Sequence, residues 1–136
     1  MKLTADDAKE LAQCFRDLSV SLGNFRLNNW GNLSSEERTT IESKEWTLLN
    51  YSSDFITEAV GLILDDTEGS FKNIKQATSK AKGAIENIKT AKSIINIATS
   101  VIGLGGAIGA ATVTKDPAGV AGAIENVITS INEATG

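Results

Sequence analysis

Histidine is absent from this chain of 136 residues, and cysteine and proline each occur once. The single cysteine, Cys14, cannot form a disulfide within the chain. The lack of histidine removes the commonest general base and the commonest zinc ligand. Aromatic residues make up only 5% of the sequence, so aliphatic side chains and alanine must supply most of any core. The sequence therefore argues against histidine-dependent enzymes and zinc proteins.

The rest of the composition is that of one globular domain. Hydrophobic residues make up 41% of the chain and charged residues 22%, and a chain of this length buries enough surface to form a core. We therefore predict a single domain over residues 1–136. The net charge of -4 argues against a nucleic-acid partner. Asp6 and Asp7 stand where a signal peptide would be apolar, which predicts a cytoplasmic protein, or one released without a cleavable signal peptide.

Apolar residues recur at spacings of three and four, which predicts an all-α protein with about four helices. Two helices begin with capping-box signatures, Thr4 with Asp7 and Ser34 with Glu37. The predicted helices cover about residues 4–22, 35–64, 67–103 and 117–133. The second helix carries two neighbouring apolar lines, which are Ile41, Leu48, Phe55, Ala59 and Leu62, and Trp46, Leu49, Ile56, Val60 and Ile63.

The third predicted helix decides the expected architecture. The link before it is short, so the second and third helices should form a long antiparallel pair in an elongated up-and-down bundle. A straight helix over 67–103 would be about 55 Å long, at 1.5 Å per residue. A compact globule of this size is only about 35 to 40 Å across. We therefore expect either an elongated bundle or a kink, for which Gly83 is the candidate.

An Ile/Ala heptad runs along this helix and predicts a coiled-coil contact. Isoleucines and alanines alternate, so another helix can approach closely along the alanine line. The expected partner is a second copy of the chain, giving a homo-oligomer, or a helix of another protein. The predicted helix-contact seam comprises Ile74, Ala77, Ala81, Ala84, Ile88, Ala91, Ile95, Ala98 and Ile102.

The heptad gives way to a glycine-rich stretch at Gly103, Gly105, Gly106 and Gly109. Glycine lowers helix propensity by about 1 kcal/mol relative to alanine, so we expect a close-packing element or a hinge in an apolar C-terminal hairpin. The stretch misses a dinucleotide fingerprint by one residue and follows a helical pattern instead of a strand. The sequence therefore predicts no nucleotide cofactor and no small-molecule substrate.

The segment 93–114 contains 22 residues without a charge, between Lys92 and Lys115. That length can span a bilayer, and Gly105 with Gly109 forms the small-residue spacing that packs helices closely in lipid. Polar residues and glycines within the segment weaken a permanent span. Two alternatives remain open, which are burial in the bundle or a subunit interface and conditional insertion into a membrane.

A lysine strip lies on the predicted third helix, beside the heptad seam. One interpretation is a solvated face that is partly neutralised by Glu42, Glu45, Asp54 and Glu58 on the antiparallel neighbour. The other is a basic surface that meets anionic lipid or an acidic partner. The residues of the strip are Lys72, Lys75, Lys82, Lys89 and Lys92.

No residue pattern predicts a catalytic, cofactor or metal site. The acid pairs at Asp6, Glu36 and Asp65 each stand at a predicted helix start, where carboxylates complement the helix dipole. None has the spacing of a calcium loop. Cys14 has no histidine to activate it, so a buried small side chain is the simpler interpretation.

Two functional hypotheses follow from these patterns. The first is a non-enzymatic helical interaction protein that self-associates or binds a helical partner through the heptad seam and the apolar C-terminal hairpin. The second is a membrane-active protein that resembles helical pore formers only in layout and uses the segment 93–114.

Overall fold

The computed structural model describes residues 1–64 and 68–135, which form five α-helices and one short 3-10 turn at Trp30–Asn32. The predicted all-α class is therefore confirmed. The predicted count of about four helices is wrong, because the third predicted helix is two helices. The α-helices are α1 (Ala5–Asn28), α2 (Ser35–Glu58), α3 (Phe71–Asn87), α4 (Ala91–Thr114) and α5 (Ala118–Thr135).

The five helices close a ring around one hydrophobic core. Helix α1 packs on α2, α2 on α4, α4 on α5, α5 on α3, and α3 on α1. The predicted long antiparallel pair of the second and third helices is wrong, because the α3 part of the third predicted helix packs mainly on α1 and α5, and only its α4 part contacts α2. Helix α2 instead lies antiparallel to α1, since the Ser52 hydroxyl donates to the Ala12 carbonyl at 2.7 Å and the Ser19 hydroxyl to the Glu45 carbonyl at 2.8 Å.

Both predicted capping boxes are present at the helix starts. Thr4 Oγ1 accepts from the Asp7 amide at 3.1 Å, and the Asp7 carboxylate accepts from the Thr4 amide at 2.9 Å. Ser34 and Glu37 exchange the same pair of bonds at 3.0 and 2.8 Å. These bonds satisfy amide groups that the first turn of a helix leaves without partners.

Helix α1 runs six residues further than predicted, from an expected end at 22 to Asn28. Gly23 does not stop the helix, because Phe25 continues the apolar line into the core and is only 6% exposed. Arg26 on the same turn is held by Glu45 of α2. The tertiary contacts of Phe25 and Arg26 therefore keep α1 helical beyond Gly23, although glycine often ends a helix.

Helix α2 ends at Glu58, short of the predicted 64. Gly61 has a φ of +85°, a conformation that favours glycine, and turns the chain into an extended segment. That segment pairs with the first residues of the chain, because the Leu3 amide donates to the Leu62 carbonyl at 2.8 Å and the Leu64 amide to the Met1 carbonyl at 2.8 Å. Residues 62–64, which belong to the second predicted helix, are therefore extended instead of helical.

The predicted helix over 67–103 breaks at residues 88–90, and not at Gly83, which lies inside α3. Ile88 has extended backbone angles, and Thr90 is the N-cap of α4. The break turns the chain so that α4 reaches both α2 and α5, which a straight helix of that length could not do. The acidic start expected at residues 65–67 lies outside the described residues, and α3 begins after the N-cap Ser70.

The glycine-rich stretch is helical and lies inside α4, so of the two expected alternatives, a close-packing element or a hinge, the chain does not turn at Gly103–Gly109. The hairpin turn lies later, at Lys115, which has a left-handed φ of 64°. The Asp116 carboxylate accepts from the Ala118 amide at 3.0 Å and so caps the first turn of α5. Burial of the large side chains of α4 offsets the low helix propensity of its glycines.

Candidate functional site

The predicted helix-contact seam is divided by the break between α3 and α4. Its α3 members are buried against the other helices of the same chain, with Ile74 at 0% and Ala84 at 8% exposed. In α4 the core-facing line is shifted by one residue, so the seam residues Ala91, Ile95 and Ile102 are only half-buried and Ala98 alone is buried; Ile88, in the break, is also half-buried. The buried line of α4 consists of Ile94, Ile97, Val101, Leu104 and Ile108.

The lysine strip is also divided. Lys75 Nζ lies 3.2 Å from Glu10 Oε1 of α1 and 4.5 Å from the centre of the Phe71 ring. Lys82 pairs with Glu86 one turn along its own helix, at 3.4 Å. The expected neutralisation by acids of α2 is wrong, because α3 faces α1. Lys72, Lys89 and Lys92 are exposed, and none of them pairs with Glu42, Glu45, Asp54 or Glu58.

The glycines of α4 have different surroundings. A Cβ on Gly105 would lie 2.5 Å from Cδ2 of Tyr51, so the ring of α2 packs directly on the backbone of α4. A Cβ on Gly106 would make an ordinary contact with the Tyr51 hydroxyl, and one on Gly103 or Gly109 would meet open space. Close approach therefore explains Gly105 but not the other glycines of the stretch.

Helix α2 carries exposed apolar side chains. Of its two apolar lines, the one with Ile41 and Leu48 is buried in the core, at 1% and 0% exposed. The neighbouring line stays on the surface, with Trp46 at 60% and Ile56 at 46% exposed. Half of the wide apolar face predicted for this helix is therefore left without cover by the fold.

Helix α1 adds apolar residues beside this line. Val20 and Leu27 are 54% and 61% exposed, and a spacing of seven residues places them on one side of the helix. The hydroxyl contact from Ser19 to Glu45 sets the register of the two antiparallel helices, so Val20 lies level with Lys44, within one helical turn of Trp46. We call the surface formed by Val20, Leu27, Trp46, Leu49 and Ile56 the outer face.

A groove of about 270 Å³ lies on the outer face between α1 and α2. Arg26 closes one side of it through two bonds to Glu45, Nε to Oε2 at 2.6 Å and Nη2 to Oε1 at 3.2 Å. Glu42 Oε2 lies 3.5 Å from Nη1 of the same guanidinium. The groove is lined by Ser19, Arg26, Glu42, Glu45, Trp46 and Leu49.

One side of the groove is held in a fixed geometry. The side chains of Arg26 and Glu45 are each only 15% exposed, and the hydrogen bonds that Arg26 donates to Glu45 raise the pKa of Arg26. Bidentate pairing of this kind fixes both side chains in one geometry. Glu42, which is 54% exposed, pairs with the same guanidinium, and Arg38 lies 4.5 Å from the centre of the Trp30 ring that Arg26 approaches to 6.0 Å. Two basic and two acidic side chains therefore lie together at this end of the groove.

Arg26 and Leu27 lie beyond the predicted end of the first helix at residue 22, so the sequence does not assign them to this surface. The seven-residue spacing from Val20 to Leu27 was the available signal, since it continues the helical period across Gly23. The second apolar line of α2 is apparent in the sequence. The sequence does not show that this line is exposed to solvent. Which line faces water depends on where α1 and α4 pack.

Cys14 is half-buried on α1 and carries no catalytic arrangement. Burial raises the pKa of its thiol, although a hydrogen bond with Thr78 acts in the opposite direction. The thiol is therefore neutral near neutral pH, and only the thiolate is strongly nucleophilic. Within residues 1–64 and 68–135, no three acidic or thiol side chains are grouped so that they could hold a metal ion.

We predict that iodoacetamide alkylates Cys14 more slowly in the folded protein than in urea, with a rate profile displaced to higher pH. Because folding favours the neutral thiol, its contribution to stability is complete below the pKa of the unfolded thiol and is lost as the pH rises through the folded-state pKa. The test compares alkylation rates across pH by mass spectrometry. Equal profiles with and without urea would contradict the burial of the thiol.

Among the described helices, α4 alone is long and apolar enough to cross a bilayer by length and composition. One line of its large aliphatic side chains faces the core, where Ile94, Leu104 and Ile108 are each 0% exposed. Its exposed positions carry mainly small or polar residues, including Asn96, Thr99 and Gly103.

Comparison with protein-family models, with curated proteins and with solved structures gives no significant match.

Proposed function

We propose that this protein is a non-enzymatic helical interaction protein that binds a helix of a partner on its outer face. The exposure of Trp46 and Ile56 beside Val20 and Leu27 carries this proposal. Contiguous exposed apolar surface marks interaction sites in soluble proteins, and tryptophan is enriched at such sites. The part of the heptad seam on α3 already packs within the chain, so the outer face replaces it as the contact surface.

The shape of the outer face favours a helical partner. Two antiparallel helices present a groove between their ridges, into which the ridge of a third helix can pack. Trp46 and Ile56 are separated by ten residues of α2, or about 15 Å along the helix axis. A partner helix of about three to four turns would therefore cover the part of the outer face between Trp46 and Ile56.

The C-terminal hairpin offers less apolar surface. Across the described residues, Val113 is the one exposed large hydrophobic residue that comes from α3, α4 or α5. The groove between α4 and α5 has a volume of about 710 Å³ but is lined by small and hydroxyl or amide side chains. Because buried apolar area supplies most of the free energy of association, the outer face is the stronger candidate.

The test uses a model helix and the fluorescence of Trp46. In a Trp30→Phe background, Trp46 is the remaining tryptophan, so a shift of its emission to shorter wavelength reports its burial. The probe is a peptide of about four helical turns with leucines on one face and glutamines elsewhere. We expect a saturable blue shift, and we expect Val20→Ser with Ile56→Ser to weaken binding by at least about tenfold, since each removes apolar contact.

Val113→Ser is the matched control, because Val113 is 81% exposed but lies on α4, which contributes no residue to the outer face. This variant should bind the peptide as tightly as the parent protein. Absence of any shift in Trp46 emission would contradict the proposed function. Equal weakening by Val113→Ser would show that the peptide binds nonspecifically and would contradict the outer face as the site.

A membrane-active role is the alternative, and the length and apolar composition of α4 favour it. Insertion would require α4 to leave the ring, because its buried line is the part that could contact lipid. We expect such a protein to float with anionic liposomes and to release an enclosed dye. Gly109→Leu tests the small-residue spacing, since a side chain there meets open space in the fold. A monomer that never floats would contradict this alternative.

A further inference from the structure

We infer that this chain exchanges the hairpin of α4 and α5 with a second copy, by straightening the break at residues 88–90 into one continuous helix. Within a single chain, the hairpin contacts the other helices mainly through α2 and α3. In the exchanged dimer, the hairpin of each copy makes the same contacts with the other copy, as in domain swapping. The exchange uses no residue of the outer face, so it is independent of the proposed function.

The break between α3 and α4 has no local cause in the sequence. Sharp breaks usually lie at proline or glycine, and residues 88–90 are isoleucine, lysine and threonine. Ile88 and Thr90 each have a φ of -88°, with ψ values of 142° and 121°, so neither is held in a left-handed conformation. All three residue types are accepted inside helices. The break therefore depends on the tertiary contacts of α4.

The start of α4 is closed less well than the other helix starts. The Thr90 side chain makes no capping bond, whereas the N-cap side chains of α1, α2 and α3 each accept an amide of the first turn. In a continuous helix, the amides of residues 89–93 would donate to the carbonyls of residues 85–89. The exchanged form thus gains backbone hydrogen bonds at the break and keeps the packing of the hairpin.

The helix-contact seam continues across the break without an insertion. Ala84, Ile88, Ala91 and Ile95 follow one another at spacings of four, three and four residues. These residues share one face only where α3 and α4 form a single helix. In the single chain, Ile88, Ala91 and Ile95 are only half-buried. The seam therefore fits the continuous helix better than the broken one.

An antiparallel crossing of two continuous helices covers these half-buried residues. When the two-fold axis lies between Ile88 and Ala91, Ile88 of each copy stands opposite Ala91 of the other copy, and Ala84 stands opposite Ile95. A large side chain then meets a small one at each level, which lets the two helices approach closely. Lys89 lies off this face and stays in water. The chain is thus complementary to itself at the crossing.

The test measures the distance between the two ends of the α3 and α4 pair. Spin labels on Lys72→Cys and Val113→Cys, in a Cys14→Ser background, sit on two exposed positions. Within one continuous helix they would be about 60 Å apart, at 1.5 Å per residue. A compact single chain holds them within about 40 Å. The labelled protein is mixed with excess unlabelled protein, warmed to just below its melting temperature and cooled. Light scattering then identifies the dimer, in which pulsed electron paramagnetic resonance reads the distance.

Thr90→Ala should favour the dimer. Alanine raises the helix propensity of the break, and the threonine side chain makes no capping bond that the single chain would lose. The gain is about threefold for each continuous helix and therefore about tenfold in the dimerisation constant, because each dimer contains two such helices. Light scattering over a series of protein concentrations measures this change.

Ala91→Pro should prevent the exchange and leave the single chain folded. Ala91 is the first residue of α4, where proline is accepted, and Thr90 already has the extended ψ that precedes a proline. Inside a continuous helix the same proline weakens dimerisation by more than about a hundredfold. Ser35→Pro is the matched control, because Ser35 is the first residue of α2 and follows Ser34, which has a ψ of 162°. It should dimerise like the parent protein.

The outcomes are distinct from those of the peptide test on the outer face. A dimer with the long label distance, strengthened by Thr90→Ala and lost with Ala91→Pro, would support the exchange. The exchange is overturned if the parent and Thr90→Ala both stay monomeric after warming. It is also overturned if the dimer keeps the short label distance or forms equally well with Ala91→Pro.

Discussion

Replacing Gly105 with alanine should destabilise the protein by about 1 to 3 kcal/mol, the usual cost of inserting a methyl group into a packed core. The added Cβ would lie 2.5 Å from Cδ2 and 2.7 Å from Cε2 of Tyr51. The Tyr51 ring cannot simply turn aside, because it stacks on Phe55 with 5.7 Å between ring centres and meets Phe15 edge-on. Urea unfolding followed by circular dichroism measures the change.

Gly103→Ala is the matched control on the same helix. A Cβ on Gly103 meets open space, so alanine should stabilise α4 by about 0.5 to 1 kcal/mol through its higher helix propensity. In a Tyr51→Ala background, Gly105→Ala should also lose its cost, because the clashing ring is gone. A Gly105→Ala protein that is more stable than the parent would show that Tyr51 does not pack on α4 in this way.

Replacing Phe15 with alanine should have the largest effect on stability, about 3 to 5 kcal/mol. Phe15 is completely buried on α1, and its ring meets Phe55 at 5.2 Å and Tyr51 at 6.2 Å between centres. The loss is a large part of the roughly 5 to 15 kcal/mol that stabilises a typical domain. We expect the melting temperature to fall by roughly 10 to 20 °C for a chain of this size.

Val20→Ala is the control for Phe15→Ala, because Val20 lies on the same helix and is 54% exposed. It should change the free energy of unfolding by no more than about 0.5 kcal/mol. If both substitutions had the same small effect, the aromatic contacts among α1 and α2 would not be the centre of the core. Both variants keep Glu42 and Trp46, so each can also be measured in the peptide assay.

On α1 and α2, the side chains that stabilise the fold and those proposed to bind a partner lie on opposite sides of each helix. Phe15, Leu48 and Phe55 face inward and hold the ring of helices together. Val20 and Trp46 face outward and contribute little to folding, which leaves them available for a partner. Substitutions on the outer face should therefore change binding without a matching change in the urea midpoint.

The candidate site was only partly predictable. The second apolar line on α2 was evident from its period, and Glu42 and Glu45 were recognised as acids of that helix. The pairing of Glu42 and Glu45 with Arg26 was not predictable, because Arg26 lies on a turn of α1 beyond the predicted end of the first helix at residue 22. An ion pair between residues nineteen positions apart depends on the packing of two helices and leaves no local signal.

The sequence by itself determined the all-α class and the starts of α1 and α2. Capping boxes act over three residues, so Thr4 with Asp7 and Ser34 with Glu37 specify a helix start wherever the helix later packs. The apolar period determined that each helix has a buried side. Both depend on contacts between near neighbours in the chain.

Only the tertiary structure decided that α1 continues past Gly23, that the chain breaks at residues 88–90, and that Trp46 remains on the surface. Each result depends on the free energy of contacts between segments that are distant in the sequence. Burial of Phe25 exceeds the helix penalty of one glycine, and the break lets α4 bury its aliphatic line against α2 and α5. The exposure of Trp46 follows because α1 and α4 cover the neighbouring line of α2, and none of the five described helices covers the second line.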